Sequence, residues 1–186
     1  PKITSAAVTS INEDAYYNYK LVTSDPDSGD TITYAVSAKP SWLNFNASTG
    51  VLSGTPTNDH VGNHSVVLKA TDSAGAVVTQ SFTVTVSNVN DAPEITSKAT
   101  TSAKQDAEYS YKFVASDVDI GDTVILAAST KPAWLKFNTN TGVLSGTPSH
   151  SDVGNHSVVL TATDASGAVT SQSFTVAVTN VNDAPT

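Results

Sequence analysis

The sequence lacks cysteine, methionine and arginine altogether. Without cysteine the chain can form no disulfide, no thiolate metal site and no cysteine nucleophile. Its 9 basic residues are all lysines, they face 17 acidic residues, and the formal net charge is −8. Nucleic-acid binding needs a basic face and favours the bidentate guanidinium of arginine, so this composition argues against a nucleic-acid partner.

Long apolar runs and targeting segments are also missing. No stretch approaches the roughly 20 apolar residues of a transmembrane helix, and no signal peptide is visible in this sequence. We therefore expect no direct membrane insertion by this chain. The lack of a starting methionine predicts that the chain is part of a longer protein.

The sequence repeats itself at an offset of 92 residues. The clearest duplications are TGVLSGTP at 49–56 and 141–148, VGNHSVVL at 61–68 and 153–160, and NVNDAP at 88–93 and 180–185. Roughly two-thirds of the positions are identical across this offset, without a gap, which indicates a tandem array. We predict two domains, residues 1–92 and 93–184, with residues 185–186 starting the next linker.

Within each repeat the hydrophobicity alternates with a period of two. Tyr17, Tyr19 and Leu21 alternate with polar neighbours, and residues 81–87 (SFTVTVS) do the same. Such runs, separated by Gly, Pro, Asn and Asp, are typical of β-strands. About seven short strands per repeat predict an all-β chain of two tandem Greek-key β-sandwich domains. The short linker with Pro93 predicts that they are arranged end to end.

The acidic residues are uneven in type and in position. There are 14 Asp and only 3 Glu, and turns and compact oxygen cages favour the shorter carboxylate. Ten of the 17 acids lie in three segments that both repeats share, namely Asp25, Asp27, Asp30, Asp72, Asp91, Asp117, Asp119, Asp122, Asp164 and Asp183. Because Ca²⁺ takes six to eight oxygen ligands from carboxylates, amides and carbonyls, the pattern predicts calcium sites. The alternative is that these residues only cap strands and form Asx-turns.

The order of these residues resembles the calcium-binding layout of cadherin repeats. Glu13 comes first, followed by the acidic segments 24–30 (SDPDSGD), 70–75 (ATDSAG) and 88–93 (NVNDAP). Residues 40–56 (PSWLNFNASTGVLSGTP) are similar to the dystroglycan-type cadherin-like or Ig-like repeats of bacterial surface and secreted proteins. The resemblance covers essentially the whole chain.

This resemblance implies a Ca²⁺-clamped junction between the repeats. By position its ligands are Glu13, Asn88, Asn90, Asp91, Asp117, Asp119, Asp122 and Asp164. Asp25, Asp27, Asp30 and Asp72 are expected to serve a preceding repeat, and Asn182 and Asp183 a following one. The cadherin Asp-Arg-Glu triplet is absent and Gln105 replaces Glu13 in the second repeat, so one or two ions per junction are expected.

Three functions are compatible with these features. The leading one is calcium-dependent adhesion, cell to cell or cell to surface, by a bacterial cell-surface or secreted protein in which Ca²⁺ stiffens the joint. The expected partners are neighbouring repeats of the same chain, like domains on another cell, or a polysaccharide. The first alternative is a passive stalk or spacer of a large adhesin.

The second alternative is a carbohydrate-binding module attached to a polysaccharide-degrading protein. It assigns sugar stacking to Trp42 and Trp134, although a repeated Trp in an alternating segment is more often part of the core. An enzyme is not expected, because no nucleophile elbow, paired metal-binding histidines or phosphate-cradling Gly loop is found.

Overall fold

The computed structural model describes residues 1–182 of the chain. These residues form two compact units, the first comprising Pro1–Val89 and the second beginning at Asn90. Asn90 and Asp91 belong to unit 2, and each donates a hydrogen bond to an aspartate side chain of that unit.

Unit 1 contains nine β-strands and a single 3-10 turn. The strands are β1 (Lys2–Ile3), β2 (Ser10–Asn12), β3 (Tyr17–Lys20), β4 (Thr23–Ser24), β5 (Thr33–Ala38), β6 (Asn44–Asn46), β7 (Val51–Gly54), β8 (Gly62–Thr71) and β9 (Val77–Ser87). The 3-10 turn, Asn58–His60, lies between β7 and β8.

Within the described residues, unit 2 has the same elements in the same order. Its strands are β10 (Glu94–Ile95), β11 (Ser102–Lys104), β12 (Tyr109–Lys112), β13 (Ala115–Ser116), β14 (Ile125–Thr130), β15 (Lys136–Asn138), β16 (Val143–Gly146), β17 (Gly154–Thr163) and β18 (Val169–Thr179). Its 3-10 turn is His150–Asp152.

Each unit is a sandwich of a four-stranded and a three-stranded sheet. In unit 1 the strand orders are β2-β9-β8-β5 and β3-β7-β6, and in unit 2 they are β11-β18-β17-β14 and β12-β16-β15. In the larger sheets β2 runs parallel to β9 and β11 runs parallel to β18. The other neighbouring strands of these sheets are antiparallel. The remaining strands form the short pairs β1-β4 and β10-β13.

The core of each unit lies between its two sheets, as the period-two alternation predicts. In β8, Val66, Leu68 and Ala70 are fully buried, whereas the residues between them are more exposed. Leu52 of the opposite sheet is also fully buried. Because burying each such side chain contributes about 1.5–3 kcal/mol, these alternating positions supply much of the driving force for folding in a chain without disulfides.

Two aromatic hydroxyl groups hold the N-terminal segment of unit 1 against the sandwich. Tyr17 donates its hydroxyl hydrogen to the carbonyl of Val8 (2.8 Å), and burial raises the pKa of Tyr17 to about 12. Tyr19 donates to Oε1 of Gln80 (2.6 Å), whose amide donates to the carbonyl of Ser5 (3.0 Å). The equivalent bonds recur in unit 2, where they fix the segment that leads from the linker into the sandwich.

Candidate metal centre

The acidic residues of unit 2 meet because two strands end at the same pole of the sandwich. β13 ends at Ser116, directly before Asp117, and β17 ends at Thr163, directly before Asp164. The linker residues Asn90 and Asp91 reach the same pole, because β10 pairs with β13 in an antiparallel register. The topology therefore gathers residues that are far apart in the sequence.

Residues 117–122, which we call the acidic loop, bring three carboxylates together. One carboxylate oxygen from each of Asp117, Asp119 and Asp122 lies within 4.8 Å of the others. The backbone N–H of Asp119 donates to Oδ1 of Asp117 (2.9 Å), and the N–H of Asp122 donates to the carbonyl of Asp119 (3.2 Å). The loop is thus shaped by its own Asx-turn before any ion is considered.

The linker closes over the acidic loop through two hydrogen bonds. The N–H of Asp91 donates to Oδ2 of Asp119 (2.9 Å), and the side-chain amide of Asn90 donates to Oδ2 of Asp164 (2.8 Å). The second carboxylate oxygen of Asp164 accepts the N–H of Ala168 (2.8 Å). Linker, acidic loop and the β17–β18 turn are therefore joined at one place.

Several carboxylate oxygens at this pole are buried without a hydrogen-bond partner. They are Oδ2 of Asp117, Oδ1 of Asp119 and Oδ2 of Asp122. Asp119 as a whole is only 7% exposed. Unpartnered charged oxygens are costly to bury, and buried charges are normally paired or bound to metals. A hard divalent cation supplies the missing partner, so the donor set fits Ca²⁺.

The surroundings of two aspartates at the pole, Asp122 and Asp164, shift their pKa values. Burial raises the pKa of Asp122, and the negative charges of Asp117, Asp164 and Asp119 raise it further. The hydrogen bond from Asn90 lowers the pKa of Asp164. The stability from that bond is present above the ordinary pKa of aspartate and is lost as the pH falls through the lowered value.

Unit 1 contains the equivalent cluster in a more open form. Carboxylate oxygens of Asp25, Asp27 and Asp30 lie within 4.8 Å of one another, but Asp27 is exposed where Asp119 is buried. The ammonium group of Pro1 lies 2.9 Å from Oδ2 of Asp25 and 3.8 Å from Oδ2 of Asp72. Its hydrogen bond to Asp25 raises the pKa of the ammonium and lowers that of the carboxyl group.

The other predicted ligands lie elsewhere. Glu13 is 2% exposed and belongs to unit 1, where its Oε1 accepts the N–H of Val89 (2.6 Å) and its Oε2 is buried without a hydrogen-bond partner. Asn88 and Asn182 are exposed linker residues. Asp183 lies outside the described residues. The roles of all these residues as ligands stay predictions.

The two tryptophans pack inside their units. Trp42 is 7% exposed, and its ring meets Tyr17 edge to face with a centroid distance of 5.8 Å. Trp134 is half-buried and packs in the same way on Tyr109 (5.9 Å). A sugar-stacking platform requires an exposed ring face, which the burial of Trp42 does not provide. The carbohydrate prediction stays untested.

Sequence reasoning missed one pair of turn residues. His60 and Asp152 occupy the same position in the two units, and each closes a 3-10 turn by accepting a hydrogen bond from the residue three positions earlier. The spacing Thr-x-x-His and Ser-x-x-Asp resembles that of a capping box and could have identified them.

Both units match the sequence profile of the family described as "Putative Ig domain", over residues 1–87 and 92–179. The chain belongs to this family. The prediction of tandem Ig-like, cadherin-like repeats is thereby confirmed.

The matched relatives of these Ig-like repeats are adhesins. The serine-rich adhesin for platelets of Staphylococcus aureus strain MRSA252 is 31% identical over 159 residues, which are 86% of this chain and 11% of the adhesin. The adhesin of the same name from strain MSSA476 is equally similar over 7% of its length. The chain thus spans about a tenth or less of the length of these relatives.

Solved structures confirm the predicted all-β fold. The human mucin-like protocadherin EC1-2 structure aligns with a TM-score of 0.54 at 17% identity, over 93% of this chain and 95% of that one. Human protocadherin-24 EC1-2 aligns with a TM-score of 0.52 at 19% identity, over 97% and 98%. In the part of the chain that the structure describes, no helix has the length and hydropathy needed to cross a membrane.

Proposed function

We propose that this pair of Ig-like repeats binds Ca²⁺ at the acidic pole of unit 2, the cluster of Asp117, Asp119, Asp122 and Asp164. The pair then acts as a calcium-dependent adhesion module of an extracellular or cell-surface bacterial protein. The observation that carries the calcium assignment is Asp119, a nine-tenths buried carboxylate with one oxygen lacking a partner. The homology to a staphylococcal adhesin supports the adhesive role and the location.

The donor set favours Ca²⁺ over Mg²⁺. Four carboxylates, the Asn90 side chain and nearby backbone carbonyls offer more than six oxygen atoms, which matches the six to eight ligands of Ca²⁺ and its flexible geometry. Mg²⁺ demands a near-ideal octahedron and keeps several of its waters. The Asn90 oxygen counted here faces the acids only after the amide turns and gives up its hydrogen bond to Asp164.

Calcium binding is expected to order the linker. In the absence of an ion, Asn90 and Asp91 are held to unit 2 by one hydrogen bond each to an acid of the pole. An ion ligated by the Asn90 oxygen replaces the hydrogen bond to Asp164 with coordination bonds and offsets the repulsion among the carboxylates. The linker segment then resists bending away from unit 2.

Calorimetric titration of the chelator-treated chain with Ca²⁺ tests the binding step. We expect saturable binding with a Kd on the order of 10⁻⁴ to 10⁻³ M, the range of extracellular calcium modules. At 100 times the Kd, mass action stabilises the bound unit by about 2.7 kcal/mol, so its Tm rises with calcium concentration. The absence of both binding heat and a Tm shift would show that the acidic residues only cap strands and form Asx-turns, without binding calcium.

Aggregation of coated beads distinguishes adhesion from a passive spacer. Beads that carry the chain are expected to aggregate in millimolar Ca²⁺ and to disperse on addition of a chelator. Beads that carry the Asp119→Asn variant provide the matched control, because they present the same surface without the buried charge. If calcium binds but the beads do not aggregate, the spacer function is favoured and the calcium site keeps a purely structural role.

A further inference from the structure

The 3-10 turns that precede β8 and β17 are closed by different acceptors. In unit 1 the N–H of Thr57 donates to the ring Nδ1 of His60 (3.1 Å), which also lies 3.0 Å from the Thr57 hydroxyl. In unit 2 the N–H and hydroxyl of Ser149 donate to Oδ2 of Asp152 at 2.8 and 2.7 Å. The geometry is shared, and the chemistry of the acceptor is not.

We infer that the His60 turn is an acid-responsive element that opens as the pH falls from 8 to 5, while its counterpart in unit 2 stays closed over the same range. Nδ1 of histidine accepts a hydrogen bond only when it carries no proton, and the imidazolium ion has no acceptor. Histidine is the side chain that ordinarily changes charge in this range. A carboxylate remains an acceptor until far lower pH.

Protonation would set two donors against each other in unit 1. The N–H of Thr57 would face the new N–H of the His60 ring, so the turn must rotate to separate them. Three contacts tie this turn to the rest of the unit: His64 Nε2 lies 2.6 Å from the carbonyl of His60, the N–H of Asp14 bonds to the carbonyl of Pro56 (2.7 Å), and the His60 ring packs near Trp42 (6.4 Å between centroids).

The 3-10 turn of unit 2 loses the hydrogen bonds between Ser149 and Asp152 only in strong acid. The hydrogen bonds from the hydroxyl and N–H of Ser149 lower the pKa of Asp152. A lowered pKa means that the stability from these bonds is present above the ordinary pKa of aspartate and is lost as the pH falls through the lowered value. That interval lies well below the range in which histidine ionises.

Charged groups around the His60 turn come from several elements. Asp59 belongs to the turn itself, His64 to β8, Glu13 and Asp14 to the turn after β2, and Lys39 to the segment that carries Trp42. The ammonium group of Lys39 is bound to the carbonyl of Leu43.

Of these groups, His64 has an exact counterpart in unit 2. His156 Nε2 lies 2.6 Å from the carbonyl of Asp152, as His64 Nε2 does from that of His60. This shared histidine makes the same contact with both turns. The two turns differ in their other histidines: His60 accepts the cap hydrogen bond in unit 1, whereas His150 of unit 2, at the position of Asn58, lies 3.3 Å from Oε1 of Gln105 through its Nδ1 and takes no part in the cap of Ser149.

Native-state amide hydrogen exchange followed by NMR tests the inference in the whole chain, with chelator present to remove divalent cations. After correction for intrinsic exchange rates, the protection of Thr57 is expected to fall about fivefold between pH 7.5 and 5, the loss of roughly one net hydrogen bond. The protection of Ser149 should stay constant. His60→Asp should abolish the change at Thr57, and Asp152→His should create it at Ser149.

The sister repeat shows that each exchanged residue suits its turn, so both variants are expected to fold. Constant protection of Thr57 in the unmodified chain would overturn the inference. A fall that persists in His60→Asp would also overturn it, because the change would then originate in His64 or in the general loosening of unit 1. A fall at Ser149 equal to that at Thr57 would point to the shared histidine instead.

Discussion

Replacing Asp119 with Asn is expected to weaken calcium binding to unit 2 by about tenfold or more. The substitution removes one negative charge from the centre of the acidic pole, where Asp119 is the most buried member of the acidic loop. The asparagine oxygen can still accept the N–H of Asp91, so the linker hydrogen bond is preserved. The change therefore isolates the charge from the shape of the side chain.

The change in Tm caused by Asp119→Asn should have opposite signs in chelator and in saturating calcium. In chelator, Asp119→Asn removes the repulsion that Asp119 exerts on Asp122, so the Tm of the variant should equal or exceed that of the unmodified chain. In saturating calcium the unmodified chain gains stability from the ion and the variant gains less. Calorimetric titration gives the affinity, and thermal unfolding in both buffers gives the crossover.

Glu108→Gln is the matched control for this experiment. It also removes one negative charge from unit 2, but Glu108 is exposed and lies beside β12, outside the acidic pole. Its affinity for calcium should stay within about twofold of the unmodified chain, as expected for a screened surface charge. If Asp119→Asn and Glu108→Gln weaken binding equally, net charge alone governs calcium binding and the acidic pole is not the site.

Replacing Gly146 with Ala is expected to destabilise unit 2 by about 3 kcal/mol or more. A Cβ atom at this position would lie 2.1 Å from the carbonyl oxygen and 3.0 Å from the carbonyl carbon of Trp134. These are backbone atoms, which cannot rotate away as a flexible side chain can. The strand β16 must therefore move out of register with its neighbours or leave the sheet.

Scanning calorimetry measures this effect, since a loss of this size lowers the Tm of a domain of about 90 residues by roughly 12 °C or more. The neighbouring substitution Ser145→Ala is the control and should change stability by less than about 0.5 kcal/mol. Gly54→Ala should produce the same loss in unit 1, where the Cβ would lie 2.1 Å from the carbonyl oxygen of Trp42. A Gly146→Ala chain that melts like the unmodified one would show that the strand can yield at this point.

The glycine of the TGVLSGTP repeat illustrates a limit of reading the sequence. Its duplication at Gly54 and Gly146 is visible in the sequence, but neither has the positive φ that usually explains a required glycine. The constraint comes from the carbonyl of a tryptophan twelve residues earlier in the chain. Close approach between separate segments is a property of the packed sandwich and leaves no local signature.

At the acidic pole, too, the sequence reveals which residues are equivalent, but their burial is known only from the structure. The matched positions of Asp27 and Asp119 could be read from the repeat, and the two residues have identical sequence roles. In the structure Asp119 is buried and Asp27 is exposed. The N–H of the linker residue Asp91 donates to the carboxylate of Asp119, a long-range contact that the sequence does not display.

By itself, the sequence determined the number of repeats, the all-β class, the alternation that buries Val66 and Leu68, and which carboxylates belong together. These follow from local periodicity and from duplication, which a single chain displays directly. Only the tertiary structure decided which oxygen atoms lack a partner and how Asn90 meets Asp164. Those features depend on distances of a few ångströms between residues far apart in the chain, and such distances are set when the sheets pack.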